Sequence, residues 1–253
     1  MSNSPLRNDS SPAQMGSPRK VACSVPYLGP EVYRRWRESD LGSVTERLEQ
    51  DLILGLVGNV ADCQVLDIGC GDGVLAVVLG QRGANVFGLD ASQPMLEAAR
   101  KRASEQHTNV ALSLGLAERL PFADESFDVV VAVTILCFVA EAERTFVEIG
   151  RVLRPGGRLV VGELGRWSTW AVRRRIQGWL GSPLWRYGRF RTARGLQRLA
   201  KVGGLTPGQV HGAIYYPHWG MAARRLTRVD KWFSKKSTVG AAFLALSAVK
   251  TAV

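Results

Sequence analysis

Residues 65–76 read VLDIGCGDGVLA, an apolar run that reaches an acid at Asp67 and then places glycines at 69, 71 and 73 before apolar text resumes. CQVLDIG (63–69) predicts a buried strand and VLAVVLGQRG (74–83) a helix closed by Gly83. Glycines at the join let the backbone turn sharply and approach a ligand without Cβ atoms in the way. A strand-to-helix join of this kind is where a doubly wound sheet binds its ligand. The dinucleotide fingerprint G-x-G-x-x-G needs a glycine at 74, where the chain has Val74. A pyrophosphate on the helix N-terminus also tolerates no nearby anion, whereas Asp67 ends the strand and Asp72 sits in the loop. Both carboxylates suit a ligand with a cationic end.

The same alternation continues outward. ANVFGLD (84–90) reads as a second strand, and SQPMLEAARKRASEQ (92–106) as a helix with Ser92 at its N-cap and Pro94 in its first turn. There follow NVALSLG (109–115), SFDVVVAVTIL (126–136), a helix over 141–153, the turn RPGG (154–157) and the strand RLVVGELG (158–165). Strands alternating with helices across short joints predict an α/β fold, a doubly wound and mostly parallel sheet with helices on both faces. QVHGAIYY (209–216) and GAAFLALSAVK (240–250) read as two late strands suited to pairing. Asp90 ends the second strand, where an acid accepts hydrogen bonds from a ribose diol. A ribose joined to a cationic, phosphate-free group is S-adenosylmethionine.

VLDIGCGDG, VFGLDAS, AERLPFADESFDVVV and EIGRVLRPGGRLVVGE, in this order and spacing, resemble the class I S-adenosylmethionine-dependent methyltransferases. Within them the likeness is to the group that includes the ubiquinone and menaquinone biosynthesis methyltransferases, and it is strong from about 45 to 165. The resemblance implies a Rossmann-like sheet of seven strands whose last runs antiparallel. It implies that Asp67, Gly69, Cys70, Gly71 and Gly73 hold the methionine end, Asp90 the ribose, and Ala91, Ser92 and Met95 the flank of the adenine. Leu116, Ala117 and Val133 complete the cofactor-binding set. Where such proteins usually read Gly-Asp-Ala-Glu, this chain has Gly115, Leu116, Ala117 and Glu118. Leu116 offers only apolar contact, so backbone groups of Leu116 and Ala117 would recognise the adenine. Loss of one hydrogen bond, about 0.5–1.5 kcal/mol net, weakens affinity several-fold without abolishing it.

The 253 residues, 46% hydrophobic and 22% charged, suit one large soluble domain. No apolar run approaches a membrane span, and the Ser/Pro-rich start has no apolar core of a signal peptide. The expected organisation is a disordered tail over 1–20 and one methyltransferase domain over 21–253. Within it, 21–60 form N-terminal helices, 61–165 the cofactor-binding core, 166–208 a basic Trp/Arg-rich cap and the last helix, and 209–253 a strand pair with a long connecting loop. Tyr33, Trp36 and Arg37 belong either to a lid over the cofactor or to an ordinary docking helix. Cys23, Cys63, Cys70 and Cys137 lie far apart, a pattern of neither a zinc site nor a disulfide framework, so a reducing cytoplasm is the default. Cys70 reads as a small packing residue.

Charge divides the chain. Residues 1–150 hold 13 Lys+Arg against 20 Asp+Glu, a net −7, whereas residues 151–253 hold 20 against 2, a net +18. The basic part points to an anionic partner: a phospholipid surface met peripherally, a nucleic acid or an acidic substrate. In the segment after 165, Trp167, Trp170, Trp179 and Trp185 are interleaved with arginines. Val172, Ile176, Trp179 and Leu180 share one predicted helix face, with Arg173, Arg174 and Arg175 straddling the rest. Such an insertion could cap the active site.

A sulfonium methyl group is already activated, so the protein must chiefly hold an acceptor in line and exclude water. No base is compulsory; for a phenol, enol or amine, His211, His218 and Glu163 are candidates by residue type, and no residue is singled out as catalytic. His211, Tyr215, Tyr216 and His218 fit core packing better than chemistry. The favoured acceptor is a small apolar or amphiphilic molecule: a quinone precursor, a lipid or a secondary metabolite. The alternative is an RNA methyltransferase that grips phosphates with the basic part. It is disfavoured because no RNA-binding module is appended and no N/D-P-P-Y/F-type tetrad follows FDVVVAVTIL. No motif speaks to oligomeric state.

Overall fold

The computed structural model describes residues 29–186, 188–217 and 237–251. The expected tail, Cys23 and His218 lie outside the described residues.

Helix α1 (Pro30–Glu38) begins on a proline, whose missing N–H costs nothing in the first turn. It stops at Ser39, whose side chain accepts from Gly42 N at 3.1 Å and caps α2 (Asp40–Val57). The elbow is tight: a Cβ on Gly42 would lie 1.9 Å from the Trp36 carbonyl oxygen. Then come β1 (Gln64–Ile68), α3 (Val74–Gln81), β2 (Asn85–Asp90), α4 (Gln93–Glu105), β3 (Val110–Leu114), β4 (Phe127–Val133), α5 (Ala142–Val152) and β5 (Leu153–Leu164). The chain continues through α6 (Thr169–Trp179), α7 (Pro183–Arg186), α8 (Ala193–Val202), β6 (Leu205–Ala213) and β7 (Phe243–Lys250).

One sheet of seven strands results, in the order β3-β2-β1-β4-β5-β7-β6, with β7 antiparallel to both neighbours and the other pairings parallel. Successive strand residues point to opposite faces: Leu66 and Ile68 pack with α5 and α8, Val65 with α2 and α3. Helices cover both faces, so Val65, Leu66 and Ile68 of β1 are all buried, without the alternation of a half-exposed strand. The strand order reverses between β1 and β4, and their carboxyl ends open the crevice where such sheets bind ligands.

Three strands differ most from their expected limits: β6 runs Leu205–Ala213 against the expected 209–216, and β4 and β5 are shifted as follows. β4 ends at Val133, because Thr134 takes a positive φ of 52° and its N–H donates to Gly162 O at 2.7 Å, turning the chain over the crevice. β5 starts at Leu153, and a register shift opposite Phe127 and Val129 absorbs the RPGG turn within the strand.

Candidate active site

The glycine loop is tied to its neighbours by backbone bonds. Gly69 N and Cys70 N both donate to Leu89 O, at 2.6 and 3.0 Å, so the loop follows the end of β2. Asp90 grips it from the side, its carboxylate accepting from Gly71 N and Ser92 N, each at 2.9 Å. Gly73 has φ +79° and its Cβ would meet Ala99 Cβ at 2.9 Å, whereas a Cβ on Gly71, φ +54°, would meet nothing within 4 Å. Gly73 is therefore dictated by conformation and helix packing, Gly71 by conformation and an open approach. Ile135, just beyond β4, lies over Gly69, with its Cδ1 2.6 Å from where a Cβ would be.

Asp67 is buried at the top of β1, and its Oδ2 has no hydrogen-bond partner among the described residues. Burial, with the Asp90 charge adding, pushes its pKa up to about 7. An orphaned carboxylate oxygen calls for a cation or donor that the described residues do not supply. At Asp90 burial raises the pKa against the pull of the Gly71 and Ser92 amides. Cys70 is buried, and the same burial with the two carboxylates nearby raises its thiol pKa, so it packs rather than attacks.

Around Asp90 the structure gathers the other expected residues. Ala91 and Ser92 follow it directly, and the Ser92 side chain caps α4 by accepting from Met95 N at 3.3 Å. Gly115 N donates to Asp90 O at 3.0 Å, bringing the turn at Leu116 and Ala117 alongside. Leu116 is half-buried and bridges to Arg119; Ala117 is buried in the core. Val133 stands one strand over from β1, at the tip of β4.

Asp72 does not face the crevice as a carboxylate for a cationic ligand. It is buried and held by Arg37 of α1, which donates to both of its oxygens, and by Arg102 of α4 at 2.7 Å. Arg102 Nε also donates to Asp72 O at 2.9 Å. Burial works to raise the Asp72 pKa, but the Arg37 bonds and the charge of Arg102 hold it below its ordinary value. Arg37 also lies 4.9 Å from the Tyr33 ring centroid and 3.5 Å from Glu46 of α2. Thus α1 is pinned directly to the glycine loop.

Glu163, at the tip of β5, is fully buried and accepts from Leu136 N at 2.6 Å and Leu164 N at 3.2 Å. Burial pushes it up to about 7, opposed by those amides. It fixes the loop after β4 and is not free to act as a base. His211 lies opposite Ala245 on the edge strand β6, three strands from β4. Tyr216 is core: its hydroxyl lies 3.0 Å from Thr45 Oγ1, and its carbonyl accepts from Trp170 Nε1 at 2.9 Å.

The helix α6 has an unexpected orientation. Val172, Ile176, Trp179 and Leu180 do share a face, but it points outward, with Trp179 88% and Leu180 81% exposed. Trp170 and Ala171 are buried instead. Arg174 turns inward, its guanidinium carbon 5.3 Å from the Trp170 ring and 4.7 Å from the Trp185 ring. Trp185 in turn lies 6.4 Å from Phe138 of the loop after β4.

A doubly wound sheet with a carboxylate-tipped first strand, a glycine loop open at Gly71 and an acid on β2 suits a nucleoside that carries a cationic group. Comparison with known proteins agrees. Residues 66–161 match the methyltransferase-domain family. The chain is 31% identical over 234 residues to an uncharacterised protein of Mycobacterium tuberculosis, covering 92% of this chain and 76% of that one. It is 36% identical over 103 residues to a ubiquinone biosynthesis O-methyltransferase of Mesorhizobium japonicum, covering 41% of each. Among solved structures it is similar to an S-adenosylmethionine-dependent methyltransferase of Thermotoga maritima, described as a possible histamine N-methyltransferase. That match has a TM-score of 0.67 at 26% identity and covers 87% of this chain and 95% of that one. The chain belongs to the class I S-adenosylmethionine-dependent methyltransferases. The orphaned Asp67 oxygen and the open approach at Gly71 fit that cofactor.

Proposed function

We propose that the enzyme methylates a small apolar or amphiphilic acceptor, of the quinone-precursor, lipid or secondary-metabolite type, at an anionic membrane surface. In this reading Asp67 and the backbone of Gly69, Cys70, Gly71 and Gly73 hold the methionine end. Asp90 accepts from the ribose, Ala91, Ser92 and Met95 flank the adenine, and Leu116, Ala117 and Val133 complete the walls. The bound sulfonium supplies an activated methyl group; the protein's residues hold the acceptor in line with it and exclude water. Residues 21–253 then act as one domain, with a cofactor-binding core over 61–165 and the cap of 166–208 toward the acceptor.

The observation that carries the acceptor class is the outward face of α6. Trp167, Val172, Ile176, Trp179 and Leu180 are all exposed, with Arg166, Arg173, Arg175 and Arg186 in the same segment. Val172, Ile176 and Trp179 stand one turn apart on α6, and an exposed apolar face of this kind marks a contact surface. Tryptophan at headgroup depth with arginine among phosphates is the chemistry of a helix lying in a membrane interface. Each basic residue that reaches such a surface contributes about 1 kcal/mol. No helix among the described residues is long and apolar enough to cross a membrane.

The test is sedimentation with phosphatidylglycerol vesicles, followed by tryptophan emission, beside methyl-label transfer into a lipid extract and an RNA pool. Blue-shifted emission that fades as the Debye length drops from about 10 Å at 0.1 M salt to about 3 Å at 1 M supports the reading. So does label in the organic phase. Label in RNA, without vesicle binding, overturns it.

A further inference from the structure

At the carboxyl end of α6 the chain folds back through α7 and encloses a groove of about 480 Å³. Arg175 and Arg186 give it cationic walls and Trp179 and Trp185 aromatic ones, and no acid is among the described residues that line it. Its glycines keep it open. Gly181 has φ +93° and a Cβ there would meet nothing within 4 Å, whereas a Cβ on Gly178 would lie 2.8 Å from Trp185 O, so a bare Gly178 lets α7 close down on α6. The carbonyls that end α6 are already engaged: Ile176 O accepts from Leu180 N and Gln177 O from Ser182 N, each at 2.9 Å.

The walls are held in place. The Trp185 ring stacks on buried Phe190 at 6.3 Å and lies 4.7 Å from the Arg174 guanidinium carbon. Arg175 lies 5.2 Å from the Phe190 ring centroid, and its Nη2 donates to Arg166 O at 3.4 Å. A guanidinium carries five N–H donors, and that bond engages one of them. The charge of the segment points to an anion from outside it, because residues 166–202 hold nine arginines and one lysine and no aspartate or glutamate. Two guanidinium forks lining one space match the oxygens of a phosphate.

Resting on the membrane reading above, we propose that this groove seats the phosphate of an anionic lipid headgroup, held by Arg175 and Arg186, while Trp179 and Leu180 enter the apolar boundary beside it. The exposed neighbours decide for a lipid: a soluble phosphate would engage the arginines and leave Trp179 and Leu180 in water. A seated headgroup turns a diffuse attraction of charge into one pose of the enzyme on the bilayer. Trp185 carries that pose toward the crevice, since it meets Phe138 at 6.4 Å in the loop that lays Ile135 over Gly69.

The test compares two variants of equal charge by sedimentation of the full chain with phosphatidylcholine vesicles that carry phosphatidylglycerol. Arg175→Gln with Arg186→Gln removes the cations of the groove; Arg166→Gln with Arg173→Gln removes as much charge from the same segment outside it. The groove pair should lose at least about tenfold more vesicle affinity than the control pair, because charge-assisted bonds to a phosphate add to general attraction. Dihexanoyl phosphatidylglycerol, as monomers, should shift the tryptophan emission of wild type and bind at least about tenfold more tightly than its deacylated headgroup, glycerophosphoglycerol; the groove pair should lose that binding. Equal affinity for the two means a soluble phosphate is the occupant and overturns the proposal, as does an RNA pool that binds through the groove pair better than the vesicles do. Calorimetry with S-adenosylhomocysteine shows that each variant is folded, since none of these arginines is assigned to the cofactor. Equal losses in the two pairs, with wild type on the vesicles, overturn the proposal and leave the membrane reading intact. Wild type that stays off the vesicles overturns that reading and this one with it.

Discussion

Replacing Asp72 with Asn should loosen α1 from the glycine loop and destabilise the whole protein. The Asp72 and Arg37 side chains are 7% and 9% exposed, and two Arg37 nitrogens reach the two carboxylate oxygens. Arg102 adds two further bonds but is 34% exposed, so its share is discounted for solvent screening. Breaking a buried pair by removing one partner costs about 3–5 kcal/mol, because the other charge is left stranded; the lower end, about 3 kcal/mol, applies here. For a chain of this size that is a fall in Tm of roughly 6–12 °C. Urea unfolding measures the loss, and a cycle with Arg37→Met should show a coupling above about 1 kcal/mol. The pH dependence has a definite sign. The Asp72 pKa is held below its ordinary 3.8, so the stabilisation is present above that value and is lost as pH falls through the folded pKa. The gap between wild type and Asp72→Asn should therefore narrow in acid. An Asn variant within about 0.5 kcal/mol of wild type at neutral pH refutes the pinning of α1 through Asp72.

Asp67, raised from 3.8 to about 7, holds a proton in the folded protein across a range where the unfolded chain has lost it, so stability falls as pH rises through that range. A cationic ligand beside it should ionise it, so S-adenosylmethionine binding near pH 6.5 should release up to about one proton, and none in Asp67→Asn. Calorimetry in buffers of different ionisation enthalpy counts the protons; equal release from both proteins contradicts the placement. Asp90→Ala should weaken S-adenosylhomocysteine binding at least about tenfold, since it removes the ribose acceptor and the anchor of Gly71 N. Unchanged affinity in a folded variant, judged by circular dichroism, contradicts the ribose assignment.

Local chemistry was legible in the sequence. The glycine loop, the Ser92 cap and the strand-helix alternation depend on residues within a few positions of one another, and they stand where the patterns put them. Contacts across the fold were not legible. Asp72 looked like a second carboxylate for a cationic ligand because nothing near it in sequence announces Arg37, 35 residues away. The apolar periodicity of α6 is real, but periodicity names a face without saying what it faces; here Arg174 goes inward between two tryptophans and the stripe goes out. Glu163 looked like a base by type, and only its bonds to Leu136 N and Leu164 N reveal that it positions a loop.

The central claim is that the crevice between β1 and β4 takes an adenosyl sulfonium and not a dinucleotide. Titration calorimetry of the full chain with S-adenosylmethionine, S-adenosylhomocysteine and NAD tests it directly. Micromolar binding of both adenosyl ligands, with no heat from NAD, is the predicted result. Tight NAD binding, or no binding of either adenosyl ligand, contradicts it.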